Sequence, residues 1–139
     1  MLNPLKKKLT INQAVEFILL FTFELTKKMQ GPFDSFINSY DKEISEQIKI
    51  KCGYELGYFI ISCIYLKLIT NIDLKDNKDE LSSHYLAESN KILYNEGSKE
   101  LGDYLVLQLG LRIQAYRLAL ISEKLNSLVG YGLLYLERI

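Results

Sequence analysis

The chain has 139 residues, 48% hydrophobic and 24% charged, with Lys plus Arg equal to Asp plus Glu and a net charge of zero. That balance excludes a disordered chain, and the missing basic surplus argues against duplex nucleic acid as a partner. The length suits one domain that buries about two thirds of its unfolded surface.

Residues 1–10 read as a basic N-terminal arm, with the run Lys6-Lys7-Lys8. Lysines ahead of FILLF imitate a signal peptide, but Glu16 and Glu24 bracket that run and no small-residue cleavage site follows it. A first helix is expected from about Ile11 to Met29, stopped by Gly31-Pro32, with a further short turn in PFDSF. A second spans roughly Asp41 to Ile69, and TNIDLKDNK after it carries the residues of a loop. A third runs from Asp79 to Asn95 and ends at Gly97. Ser98 opens a fourth, to about Asn126, and SLVGYGLLYLERI forms a fifth helix or a continuation interrupted at Gly130 and Gly132. No strand alternation competes. The expectation is an all-α, single-domain bundle over 11–139, with about five to seven helices.

Two stretches bear on location. Leu56 to Leu66 is about half a membrane span, and 104–121 is interrupted by Gln108, Arg112, Gln114 and Arg117. No membrane span is expected, and the cytoplasm is the expected location. Cys52 and Cys63 lie 11 residues apart in one helix, a rise of about 16 Å that a disulfide cannot bridge. They read as small, reduced core residues.

Helical phase sorts the polar groups into faces. On the fourth helix Lys99, Asp103, Gln114, Arg117 and Lys124 share a water face, whereas Gln108 and Arg112 lie opposite, in line with Tyr104, Ala115 and Ala119. On the second, Lys42, Glu46, Lys49 and Lys67 cluster on one side. Glu55 falls opposite them, with Ile44, Ile48, Phe59, Ser62 and Leu66. A buried guanidinium needs a carboxylate, carbonyls or an anion, because an isolated charge is too costly to desolvate. Two readings stay open: Glu55 and Arg112 form a structural ion pair, or Glu55, Ser62, Tyr104, Gln108 and Arg112 line a polar chamber for an anion or a ligand headgroup.

Other chemistry is sparse. Glu80, His84 and Glu88 have metal-compatible spacing, but Lys91 shares their face and the chain has no second histidine, so a solvated stripe is expected. Cys63 has no histidine to activate it, and no GxSxG or Gly-rich phosphate loop occurs. No catalytic residue, metal or enzymatic activity is expected. Gly53 and Gly57 suggest a close helix crossing or room for a ligand. Among the ten tyrosines, Tyr54, Tyr58 and Tyr65 on one flank, with Tyr131 and Tyr135 in the tail, suggest the interface of a homodimer.

With PFDSF after the first helix and LSSH ahead of the last two long ones, the chain resembles a globin. Phe33 or Phe36 would stand for the early phenylalanine and His84 for the proximal histidine. Because His84 falls on a charged face, the pattern is more similar to the haem-less globin-like sensor domains of spore-forming bacilli. That resemblance implies no haem, an apolar tunnel for a fatty acid and a polar chamber for an inorganic anion. It also implies inhibition of sporulation by drawing a signal away from a sensor kinase. The expected function is a non-enzymatic, dimeric regulatory domain that senses a small apolar or amphipathic, fatty-acid-like molecule and signals by protein contact. The alternative is a small helical interaction protein, of the immunity or phage-inhibitor type, that binds a partner protein and no small molecule. Whether the inward polar groups line a cavity or pair with each other separates the two.

Overall fold

The computed structural model describes residues 9–40 and 46–121. Four α-helices form in this part of the chain: α1 (Ile11–Tyr40), α2 (Glu46–Thr70), α3 (Lys78–Tyr94) and α4 (Lys99–Ile121). A 3-10 segment, Ile72–Asn77, links α2 to α3. The chain is all-helical over these residues, as expected. The described residues hold four α-helices, and the expected tail helix lies outside them.

Helix starts follow local chemistry. Before α1, Thr10 and Gln13 form a capping box: Gln13 N–H donates to Thr10 Oγ1 at 3.2 Å, and Thr10 N–H donates to Gln13 Oε1 at 3.0 Å. Ser98 caps α4, its Oγ accepting from Leu101 N–H at 3.2 Å. In α3, Asp79 and Glu80 sit in the first turn and Lys91 in the last, both favourable to the helix dipole.

Two sequence expectations fail at segment ends. Helix α1 does not stop before Gly31-Pro32; it continues through Pro32 to Tyr40. Proline deprives the Lys28 carbonyl of its N–H donor, but Gly31 and Pro32 both face solvent, where water can satisfy that carbonyl. Beyond them Ile37 is buried again, so packing continues past the weak point. The turn expected in PFDSF is therefore part of α1. Likewise TNIDLKDNK is a 3-10 turn for most of its length rather than an irregular loop. Its tight i to i+3 bonding satisfies backbone groups between two helices without lengthening the connection.

Helices α2 and α3 pack together, α1 lies against both, and α4 also lies against both. The main core joins α2, α3 and α4 through Tyr58, Leu66, Leu93, Leu105, Leu109, Ile113 and Tyr116. Phe59 meets Tyr116 edge to face, with ring centroids 5.4 Å apart. On the α1 side, the buried Tyr85 hydroxyl and Thr22 Oγ1 are hydrogen-bonded at 2.9 Å, which ties α1 to α3. Gly102 marks a close crossing, because a Cβ there would come within 3.0 Å of the Tyr94 Cα. By length and composition α2 could cross a membrane. The core helix of a water-soluble bundle meets the same criterion, and α2 carries the charged Glu55 at its centre.

Candidate functional site

The inward charges on α2 and α4 meet. Arg112 donates through Nε to Glu55 Oε2 at 3.0 Å and through Nη2 to Glu55 Oε1 at 2.5 Å. This is the two-pronged geometry that matches a guanidinium to a carboxylate. Its Nη1 donates to Gln108 Oε1 at 3.0 Å, one helical turn back on α4. The pair is largely withdrawn from water, with 12% of the Arg112 side chain and 9% of the Glu55 side chain exposed. The guanidinium also lies 5.8 Å from the centroid of the Tyr58 ring.

Glu55, Gln108 and Arg112 thus come together, but Tyr104 and Ser62 do not join their hydrogen bonds. Tyr104 is 57% exposed rather than inward. A row of residues four apart drifts by about 40° per step around a helix. The buried line of α4 runs through Leu105, Leu109, Ile113 and Tyr116. The row 104, 108, 112 therefore starts in solvent at Tyr104, crosses the flank at Gln108 and reaches the core edge only at Arg112. Ser62 is fully buried, and its Oγ has no hydrogen-bond partner. Ile48, expected beside Glu55, is 36% exposed near the start of α2, and Ile44 lies outside the described residues.

The expected tyrosine interface also changes. Tyr58 is buried in the core at 3% exposure, so it cannot present itself to a second molecule. Burial, and then the Glu55 charge, push its hydroxyl pKa above the ordinary value. Tyr54 and Tyr65 are half-buried against the core, and Tyr131 and Tyr135 lie outside the described residues. The exposed apolar side chains instead concentrate on α1, at Phe17, Leu20, Phe21 and Phe23, and on α4, at Tyr104, Leu107, Leu111 and Leu118.

Gly53 and Gly57 do not make a close crossing. A Cβ at either would meet no atom within 4 Å. Both line a groove of about 170 Å³ between α1, α2 and α3. Its walls are mainly apolar, from Leu19, Phe23, Tyr54, Ile61 and Ile92, with Thr26, Ser89 and Glu96 among the polar groups. Of the two sequence expectations for these glycines, a close crossing or open room, the structure has the second. Helical phase alone could not choose, because it says nothing of what stands opposite them.

His84 and Glu80 face solvent, and Glu88 forms an ion pair with Lys91 at 3.0 Å, so this stripe is occupied by surface charge. Among the described residues no group of three His, Cys, Asp or Glu side chains could hold a metal. Both cysteines are free thiols, and burial pushes Cys63 up to about 11 and also raises Cys52, which keeps both protonated and poorly nucleophilic at neutral pH. No family model, characterised protein or solved structure matches this chain.

Proposed function

We propose that this chain is a small helical regulatory protein that acts by protein contact and has no reaction of its own. It would take the apolar face of a partner helix into the groove floored by Gly53 and Gly57. The groove is the observation that carries this reading: two glycines in the interior of α2 cost helix stability and yet have open space above them. Anchoring side chains at i, i+3 and i+4 of an amphipathic helix suit such a cleft. Phe23, which is 49% exposed, supplies an apolar wall from α1. The pairing of Glu55 with Arg112 and Gln108 supports this choice over an internal anion chamber, since those polar groups engage one another.

A second reading keeps the ligand-sensing function of the globin-like resemblance but moves the ligand into the same groove. The apolar walls and the nearby Thr26, Ser89 and Glu96 favour it. The volume of about 170 Å³ disfavours it, being below the roughly 300 Å³ at which pockets for small molecules begin.

Gly57→Leu tests the proposal, because the added side chain fills the groove from a position with open space above it. Wild type and variant are each used to isolate partners from the native host, with circular dichroism confirming an unchanged fold. The reading expects a protein partner held by the wild type and lost from the variant. An identical set of partners on both would sink it. Loss of a bound lipid instead of a protein would favour the second reading.

A further inference from the structure

The exposed face of α4 has the spacing of a coiled-coil seam. Tyr104, Leu107, Leu111, Gln114 and Leu118 follow at intervals of three, four, three and four, the a and d positions of two heptads, and all five face solvent. The opposite face of the helix is already used by Leu105, Leu109, Ile113 and Tyr116. A single water-facing side would need no such repeat.

We infer that a second copy of this chain docks on the seam, α4 against α4 in antiparallel orientation. Charge placement decides both occupant and direction. Asp103 and Arg117 border the seam on the same side, at equivalent heptad positions, and both are exposed. About 21 Å of helix separates them, too far to pair within one copy. Antiparallel docking that sets Leu107 opposite Leu111 of the second copy brings Asp103 beside the second copy's Arg117 on the flank, offset along the axis by about 3 Å, and twofold symmetry repeats the contact at the other end. In parallel docking a g position meets an e position of the other helix, so Asp103 would face Gln108 of the second copy and gain no opposite charge. Gly110 flanks the seam beside the twofold axis of the antiparallel arrangement, where its missing side chain and the open space above it let the backbones approach. Isologous contacts of this kind are the usual way in which identical chains pair.

The four apolar side chains contribute on the order of 400 Å² per copy, about half of the surface of a standard interface. The dimer is therefore one that dissociates on dilution. This surface is separate from the groove, so the inference stands or falls independently of the proposed function.

Sedimentation velocity of the full chain over a concentration series tests it, with D103R, R117D, the double variant D103R/R117D and Leu111→Glu. All three positions are exposed, so circular dichroism should show the folded spectrum in every variant. Wild type is expected to pass from monomer to dimer with rising concentration. Each single charge reversal should weaken the dimer about tenfold or more, and the double variant should restore it to within about threefold. Leu111→Glu should give a monomer. A wild type that stays monomeric up to on the order of 100 µM would overturn the inference and point to the chain's own residues 122–139 as the cover of this face. A dimer indifferent to Leu111→Glu would overturn the surface, and a double variant no better than the singles would overturn the antiparallel direction.

Discussion

Replacing Arg112 with methionine removes the partner of a carboxylate that cannot reach much water. The guanidinium makes two hydrogen bonds to Glu55 and one to Gln108, and only 9% of the Glu55 side chain is exposed. Breaking a buried pair from one side costs about 3–5 kcal/mol, because the remaining charge is left desolvated. The slight exposure of both groups places the expected loss near the lower end, about 3 kcal/mol. A domain of this size has a total stability of roughly 5–15 kcal/mol, so the loss is a large fraction of it. The melting temperature should fall by on the order of 10 °C. Urea unfolding followed by circular dichroism measures the loss directly. The double variant Glu55→Met with Arg112→Met should recover most of it, since apolar side chains of similar volume often replace a buried pair without net cost. A loss below about 1 kcal/mol for Arg112→Met, the range of a surface ion pair, would refute the reasoning. So would a double variant no more stable than the single.

Four further outcomes follow from the same structure. Gly53→Ala and Gly57→Ala should each raise the stability in urea by about 0.5–1 kcal/mol, because both sites are open and alanine favours the helix. Gly102→Ala should instead destabilise the fold, since its Cβ would press on the Tyr94 backbone. Ser62→Ala removes a buried hydroxyl without a partner, so thermal unfolding should show no loss and a gain of up to about 1 kcal/mol. Stability should also decline above pH 9 and go on falling through about pH 11. Cys63, raised from 9.0 to about 11, stays protonated in the folded state where the unfolded chain has already ionised, and Cys52, Tyr58 and Tyr85 are shifted in the same direction. Urea midpoints measured from pH 8 to 11 check this, and a flat profile would contradict it.

Much of the fold was legible because it depends on phase. Asp103, Gln114 and Arg117 were assigned to water and Arg112 to the interior from the 100° step alone, and they lie there. A charged residue on an apolar face is a strong signal, so Glu55 could also be placed. What could not be read depends on neighbours. Whether Pro32 ends a helix turns on whether the freed carbonyl faces solvent and on whether apolar packing resumes at Ile37. Whether Gly53 and Gly57 mark a crossing or a groove turns on the position of α1, which no periodicity reports. Gly102, the actual close approach, lies in an ordinary helical pattern where only the path of Tyr94 reveals its use. Tyr104 lies in solvent because a row at four-residue spacing drifts around the helix instead of running straight along it.

The central claim is that the interior polar groups serve each other and that the working surfaces lie outside, in the groove and along α4. Native mass spectrometry of the protein as expressed, with Arg112→Met and Gly57→Leu alongside, tests it most directly. The account predicts monomer and dimer masses without a small molecule that depends on Arg112. A stoichiometric anion or lipid that is lost in Arg112→Met but kept in Gly57→Leu would place a ligand at the ion pair and contradict it.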